Sequence, residues 1–371
     1  MRVSAVFLIP HILLIFNLDI VILPDFVKIM NILKDNELLN NLKKLFSSIN
    51  HEIYPSFIDD LFALIKILQN SRNKSFVFLL VGRTGVGKSS TINSLMGEPI
   101  CQIGNYDPTT MEVQSYEHEI NGIKFTIIDT PGLCDDIPEK GNDQKYIELI
   151  RSKVKQIDSL CFVTRLDDSR VTSDEMRGIK LISEAFTREV WKYAVIIFTR
   201  ANKADDYVID LQERTKRIKN EIAKYTGDEV ASNIPSVAVD NKSQTTPDGK
   251  RWLEELYTQV FKRMADRGAV PFLLATVTRI NKKSKKTKKS QSSQQKNTSK
   301  NYEENDTEAE FNFNVQQKEE IKSKLFSTIP ILEKICGSIG SIFGGSVGKT
   351  IGETIGGVIG YGLDFIFSLF S

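Results

Sequence analysis

The sequence predicts an α/β fold: a mostly parallel sheet with one antiparallel edge strand and with helices on both faces. From about residue 75 to residue 265, short apolar runs alternate with amphipathic helical patterns. Asn121-Gly122 separates two of the strand-like runs, and this dipeptide is typical of a two-residue hairpin turn. The hairpin makes one strand antiparallel, whereas the helices between the other strands predict parallel pairing.

The strands and helices follow from the spacing of apolar residues. The predicted strands are Phe76–Val81, Val113–Ile120, Ile123–Ile128, Leu160–Thr164, Ala194–Thr199 and Ser236–Val239. The predicted helices include Phe57–Leu68, Ser90–Met96, Ser173–Phe186 and Asp210–Tyr225.

Composition excludes several classes of protein. Lys and Arg number 49 and Asp and Glu 47, so the net charge of +2 argues against a nucleic acid as partner. The hydrophobic fraction of 41% and charged fraction of 26% exclude global disorder and a polytopic membrane protein. The four cysteines form no CxxC pair, which indicates neither a disulfide framework nor a zinc site. A reducing, cytoplasmic location is therefore expected.

Shifts in composition divide the 371 residues into five segments. Residues 1–24 are apolar but interrupted, so a signal sequence, an anchor and a buried or mis-annotated start all stay open. Residues 25–73 form an amphipathic helical extension, and residues 74–268 form the α/β domain. Residues 279–310 are a low-complexity charged linker, and residues 311–371 are a helical and hydrophobic tail.

Glycine recurs at every fourth position in that tail, the pattern of a glycine zipper. In a helix this spacing leaves a groove without side chains, which lets another helix approach closely. Because membrane helices tolerate glycine, we expect the tail to contact membrane lipid, with the membrane unknown. The alternative is a tail that folds onto the α/β domain or associates with itself in water. The spaced glycines are Gly340, Gly344, Gly348, Gly352, Gly356 and Gly360.

An eight-residue segment that begins at Gly82 fits G-x-x-x-x-G-K-[ST] between a predicted strand and a predicted helix. Its glycines let successive backbone N–H groups face phosphate oxygens. Lys88 supplies a positive charge, and the Ser89 hydroxyl supplies a ligand for Mg²⁺. The predicted phosphate-binding residues are Gly82, Arg83, Thr84, Gly85, Val86, Gly87, Lys88, Ser89 and Ser90.

Two further segments complete the predicted site for metal and γ-phosphate. A D-T-P-G segment begins at Asp129, whose carboxylate is predicted to hold a Mg²⁺-bound water, while the Gly132 N–H can contact the γ-phosphate. A D-P-T-T segment begins at Asp107, in a polar connection where a switch loop would lie. Thr110, in preference to Thr109, is predicted to reach the Mg²⁺ when the γ-phosphate is present.

The residues that follow the strand ending at Thr199 are predicted to recognise the base. Two alignments of a guanine-recognition motif, here called registers, fit these residues. N-K-A-D at 202–205 spells a guanine signature, whose Asp would accept hydrogen bonds from guanine N1–H and the 2-amino group. T-R-A-N at 199–202 follows the strand directly, where such a motif usually lies. Adenine lacks this pair of donors, so both registers favour guanine nucleotide.

Together these motifs resemble the AIG-type (immune-associated) GTPases and the chloroplast-envelope Toc GTPases, septin-related P-loop GTPases of the TRAFAC class. The resemblance covers about residues 75–265, and it includes the R-L-D-D-S-R-V segment from Arg165. It favours the register that begins at Thr199 and implies Asn202 as a base-edge residue. It also implies that the side chain of Asn241 packs on the guanine. The flanks, the linker and the tail lie outside the resemblance.

The resemblance implies a switch that binds GTP and GDP with Mg²⁺. Leu133 occupies the position where Ras-like enzymes place a water-orienting Gln, so slow intrinsic hydrolysis is expected. Arg170 matches an arginine that in Toc-like members reaches across a dimer interface toward the partner's nucleotide. The expected catalytic residues are therefore Lys88, Thr110 and Arg170, in a homodimer or oligomer; Arg83 is a second candidate for the assisting arginine. A solvated loop charge at Arg170, and a nucleotide-regulated scaffold with negligible turnover, are the alternatives.

Overall fold

The structure is a computed structural model that describes residues 40, 55–101, 113–130, 143–168, 170–280, 311–339, 351, 353, 355 and 357–369. The chain divides into two compact units, residues 1–58 and residues 59–371. The apolar segment 1–24 and linker residues 281–310 lie outside the described residues.

In the part of the chain that the structure describes, six strands form one sheet in the order β2-β3-β1-β4-β5-β6. The antiparallel pair β2 and β3 forms one edge, and the other strands pair in parallel. This topology confirms the predicted fold class. The strands are β1 (Phe76–Val81), β2 (Gln114–Ile120), β3 (Ile123–Asp129), β4 (Ser159–Arg165), β5 (Ala194–Thr199) and β6 (Ser236–Ala238).

The described residues also form α-helices, several of which pack on the sheet. The helices are α1 (Pro55–Ser71), α2 (Lys88–Met96), α3 (Asp143–Lys153), α4 (Ser173–Ala185), α5 (Tyr207–Thr226), α6 (Asp228–Ser232), α7 (Trp252–Arg263), α8 (Asp266–Ile280), α9 (Val315–Thr328), α10 (Ile331–Ile339) and α11 (Gly357–Ser368). Helix α5 begins three residues before the predicted Asp210, because the Asp206 side chain caps it by accepting a hydrogen bond from the Ile209 N–H.

The core lies on both faces of the central strands, and every residue of β1 and β5 is buried. On one face, side chains of α3, α4 and α5 pack against the sheet in a single apolar cluster. On the other face, the ring of Phe272 from α8 lies edge-on to Phe76 and Phe78, with centroids 5.7 Å apart in both cases. Burial of both faces explains why these strands are continuous apolar runs.

Helix α8 crosses residue 268, where the predicted α/β domain ends, and it runs beneath the sheet to Ile280. Its far end is tied to the β2–β3 hairpin, because the Asn121 amide donates to the Ala275 carbonyl at 2.8 Å. Asn121 has a φ of +55°, as the predicted two-residue turn requires. The helix therefore belongs to the packed body of the α/β domain.

The described part of the tail packs against α8. A Cβ at Gly362 would lie 3.0 Å from Leu274 Cδ2, and the Phe365 ring centroid lies 6.1 Å from that of Phe313. Within the described residues, no helix has both the length and the apolar character to cross a membrane. Helix α11 is therefore arranged as in the alternative, with the tail folded onto the α/β domain. Five of the six spaced glycines, Gly340 to Gly356, lie outside the described residues.

Replacement of Phe365, which is 3% exposed, tests this packing. Phe365→Ala removes a buried ring, which should lower the free energy of opening α11 by about 3 kcal/mol and speed amide exchange in α11 roughly 100-fold. Hydrogen exchange read by mass spectrometry measures the effect. The matched control is Tyr361→Ala on the same helix, since Tyr361 is 50% exposed and its loss should leave exchange nearly unchanged. Equal effects of the two substitutions would contradict the docked position of α11.

Candidate functional site

The loop between β1 and α2 turns through three glycines with positive φ: Gly82 at +151°, Gly85 at +75° and Gly87 at +103°. A Cβ at Gly82 would lie 2.1 Å from the carbonyl oxygen of Val163, so only glycine fits there. Helix α2 begins directly after Gly87, and the first N–H groups of a helix have no intrahelical acceptor. The loop and this helix end form a ready site for an anion such as phosphate.

Lys88 lies at the centre of this loop and is 7% exposed. Its ammonium group donates to the carbonyls of Gly82, at 2.8 Å, and Arg83, at 3.1 Å. Its Nζ also lies 3.6 Å from Asp129 Oδ1, because Asp129 ends β3 opposite Leu80 of β1. The structure therefore brings together the charged residues that the two separate motifs contribute.

The remaining predicted phosphate and metal residues divide into two groups. Ser89 and Ser90 lie in the first turn of α2 and are partly buried. Thr110 and Gly132 lie outside the described residues, as does Leu133. Among the described residues, no cluster of three or more His, Cys, Asp or Glu could hold a metal. Mg²⁺ needs no such cluster, because it is usually held by one or two carboxylates, waters and the phosphates themselves.

The electrostatic effect of Asp129 extends to Cys101, which lies shortly after the end of α2. Burial, followed in size by the negative charge of Asp129, raises the pKa of the Cys101 thiol to about 12. Cys101 is therefore a neutral thiol at physiological pH, and thiolate is the form that reacts and binds metals. The residue is a packing residue beside the site.

The T-R-A-N segment meets the phosphate loop through its first residue. The Thr199 hydroxyl is buried and donates to the Val86 carbonyl at 2.6 Å. The Thr164 carbonyl oxygen is a second acceptor, 3.2 Å from the same hydroxyl. Arg200 follows with a φ of +59°, which is uncommon outside glycine, and its guanidinium donates to the Gly85 carbonyl at 3.3 Å. Both residues thus contact the loop itself, a role for Arg200 that the sequence did not indicate.

Two loops at the same edge of the sheet carry Asn202 and Asn241. Asp240 joins these loops, because its carboxylate accepts hydrogen bonds from the N–H groups of Asn202, at 3.0 Å, and Lys242, at 2.9 Å. The Asn202 amide is exposed and donates to the Thr245 carbonyl at 3.1 Å. Asp205, which ends the competing N-K-A-D register, is exposed outside this bridge. The bridging role of Asp240 could not be read from the sequence.

Asn241 faces the start of α2. Its Nδ2 donates to Thr91 Oγ1 at 3.0 Å and lies 3.4 Å from the position of a Cβ on Gly87. Its side-chain oxygen is buried and, among the described residues, has no hydrogen-bond partner. A buried acceptor without a donor is costly, so this oxygen fits a site completed by a ligand that carries donors.

The two candidate arginines differ in their surroundings. The Arg83 guanidinium lies 3.1 Å from the Asp174 carboxylate, so it is engaged in an ion pair with the start of α4. Arg170 is exposed on the segment that leads into α4. The geometry therefore favours Arg170 over Arg83 as a side chain that can reach another molecule.

Removal of the Thr199 hydroxyl should weaken the loop. Thr199→Val keeps the shape of the side chain but leaves the buried Val86 carbonyl without its donor, which should lower the free energy of unfolding by about 1 to 3 kcal/mol. Thr199→Ser keeps the hydroxyl and is the control, with a smaller loss expected. Urea unfolding measures both. A valine variant that is as stable as the serine variant would show that this hydrogen bond does not anchor the loop.

Curated relatives match part of the chain. Translocase of chloroplast 101 of Physcomitrium patens is 26% identical over 221 residues, which is 54% of this chain and 24% of that protein. Translocase of chloroplast 34 of Pisum sativum is 29% identical over 216 residues, which is 52% of this chain and 68% of that protein. The chain thus spans about a quarter of the length of the first relative.

Solved structures are also similar. The structure of Toc33 from Arabidopsis thaliana in complex with GDP and Mg²⁺ is 24% identical, with a TM-score of 0.43 over 56% of this chain and 90% of that chain. The AIG1 family model matches residues 77–308, more than half of the chain, and this confirms the resemblance inferred from the motifs. The protein therefore belongs to the AIG1 family.

Proposed function

We propose that the protein is a guanine-nucleotide-binding switch that hydrolyses GTP slowly with Mg²⁺ and dimerises through its α/β domain. The observation that carries the proposal is the phosphate loop, in which Lys88 is enclosed by loop carbonyls and lies 3.6 Å from Asp129 Oδ1. An ammonium group at the centre of a glycine loop, next to a carboxylate at a strand end, is the arrangement that holds a magnesium-bound triphosphate. Membership of the AIG1 family supports it.

Each residue has a role in this proposal. Lys88 and the N–H groups of the loop would hold phosphate oxygens, with Gly132 at the γ-phosphate. Ser89 would hold Mg²⁺ directly and Asp129 through a water, and Thr110 would complete the metal shell only with the triphosphate. The metal would supply neutralisation of charge on the phosphates. Loss of the γ-phosphate would release Thr110, which makes the loop around it a switch.

The T-R-A-N segment at residues 199–202 is proposed to select guanine over adenine. Thr199 contacts the phosphate loop, and Asn202, the last residue of T-R-A-N, lies on an exposed rim next to Asp240. The amide of Asn202 would face the base edge, and Asn241 would pack against the base from the start of α2. Adenine lacks the donor pair that guanine offers to an acceptor at this rim.

Slow turnover follows from the residue that replaces the water-orienting Gln. Leu133 has no group that could hydrogen-bond to water, so an assisting group must come from elsewhere. Arg170 is exposed and would reach the nucleotide of a second copy of this chain. A nucleotide-regulated scaffold with negligible turnover is the alternative function, and the two differ in single-turnover assays: absence of phosphate release over hours favours the scaffold.

We also propose that the protein is cytoplasmic and associates with a membrane. The spaced glycines of residues 340–360 and the relatives named as chloroplast translocases support this part. Flotation of the full chain with vesicles of neutral or anionic lipid tests it. Migration with either type of vesicle is expected, and a protein that stays at the bottom of both gradients contradicts it.

Replacement of Lys88 should abolish nucleotide binding. Lys88→Ala removes the positive charge at the phosphates, and we expect at least a 100-fold loss of GTP affinity, measured by calorimetry, and no co-purified nucleotide. The control is Lys216→Ala on the exposed face of α5, which should bind as the wild type does. Unchanged affinity of the Lys88 variant would contradict the site, and ATP that displaces GTP at comparable concentration would contradict the proposed base.

Replacement of Arg170 should remove assistance by a second copy. GTP turnover per molecule of wild-type protein should rise with protein concentration, and Arg170→Ala should lose at least about tenfold of that rate at high concentration while GTP affinity is kept. Arg188→Ala is the control, because Arg188 is an exposed arginine elsewhere on the surface. Rates that are equal and independent of concentration in wild type and Arg170→Ala would refute the dimer mechanism.

A further inference from the structure

A buried arginine supports the segment that carries Arg170. Arg214 lies on α5 and is 3% exposed. One terminal nitrogen of its guanidinium donates to the Arg170 carbonyl. The other donates to Thr164 Oγ1 at 2.7 Å and pairs with Glu175 Oε1 at 2.8 Å. The main chain at Arg170 is thereby tied to β4, α4 and α5, while the Arg170 side chain remains exposed.

Glu175 fixes the same segment two residues later. Its Oε2 accepts a hydrogen bond from the Thr172 N–H at 2.8 Å, and its own N–H donates to Thr172 Oγ1 at 3.2 Å, which together form a capping box at the start of α4. One buried carboxylate therefore binds both Arg214 and the helix cap. As a result, the chain from Arg170 to Thr172 is held at both ends.

The arrangement depends on an arginine in particular. A buried ion pair is costly to desolvate unless further hydrogen bonds compensate, and here the planar guanidinium serves three acceptors at once. Lysine has a single ammonium group and cannot reproduce this fork. Stabilisation of the core alone would not require the contact with the Arg170 carbonyl, which lies on the surface segment.

We propose that Arg214 is a positioning residue that fixes the main chain at Arg170, so that the Arg170 guanidinium projects toward the nucleotide of a second copy of this chain. This inference rests on the proposed function, in which Arg170 acts across the dimer. It predicts that Arg214 matters in the subunit that donates Arg170 and not in the subunit whose GTP is hydrolysed.

A single-turnover assay with two differently loaded populations separates these roles. The acceptor is full-length protein at low concentration, loaded with GTP labelled at the γ-phosphate. The donor is added in large excess and is loaded with a non-hydrolysable GTP analogue, so that only the acceptor releases labelled phosphate. The test variant is Arg214→Lys, and the control is Arg217→Lys, an exposed arginine on the same helix.

We expect wild-type and Arg217→Lys donors to accelerate the acceptor equally, and Arg214→Lys to accelerate it at least about tenfold less. As acceptor, Arg214→Lys should respond fully to wild-type donor. The positioning role is overturned if the Arg214→Lys donor accelerates the acceptor as much as wild-type donor does while the Arg170→Ala donor does not accelerate it. This result would leave the proposed function intact. A fully active Arg170→Ala donor refutes the proposed dimer mechanism itself.

If Arg214→Lys loses activity both as donor and as acceptor, the substitution has a general structural effect, and this result would overturn the positioning role. A second variant, Glu175→Gln, keeps the shape and one oxygen acceptor but removes the charge that pairs with Arg214, and its response as acceptor reports whether it is folded. It should also lose donor activity while it keeps the acceptor response, and a Glu175→Gln donor as active as wild type would count against the proposal.

Discussion

Two buried side chains hold the phosphate loop against the sheet, and the rest of the site depends on them. Thr199 at the end of β5 donates to the Val86 carbonyl, and Lys88 donates to the carbonyls at the start of the loop. These hydrogen bonds satisfy backbone acceptors that would otherwise be buried without donors. The first N–H groups of α2, which follow the loop directly, have no intrahelical acceptor. Contacts within the protein itself therefore shape the loop for an anion, which lowers the cost of ordering it on binding.

The start of α4 contacts both the phosphate loop and the Arg170 segment through neighbouring carboxylates. Asp174 pairs with Arg83 of the phosphate loop, and Glu175 pairs with the buried Arg214 that holds the Arg170 carbonyl. The first pair is partly exposed and contributes little to stability, whereas the second is buried and depends on all of its partners. The phosphate loop and the Arg170 segment thus share one rigid support, so their relative position is set by the fold.

Helix α11 shows how an apolar, glycine-containing helix packs against the rest of the protein. Gly362 allows α11 to approach Leu274 of α8 closely, and Phe365 joins the aromatic side chains that Phe313 contributes. Such burial removes from water a helix that is apolar over most of its surface. The spaced glycines lie almost entirely upstream of α11, outside the described residues.

The sequence by itself determined the sheet and the phosphate loop, because these depend on local patterns. Apolar runs marked the strands to within one residue at each end, Asn121-Gly122 marked the hairpin, and the glycines marked a turn that other residues cannot adopt. The residue pattern alone fits two registers, at 199–202 and at 202–205, and only the resemblance to the AIG-type GTPases favours the first. The contact of Thr199 with Val86, which lies 113 residues away in the sequence, comes from the fold.

Only the tertiary structure decided the contacts between distant segments. Asp240 bridges two loops, and Arg214 lies 39 residues from Glu175 and 44 from Arg170. No periodicity or motif marks such residues, because a polar side chain within a helical pattern reads as solvent-facing until the neighbouring elements cover it. Arg214 contacts the surface segment at Arg170 because neighbouring elements bury its side chain. Burial of this kind is a property of the whole fold.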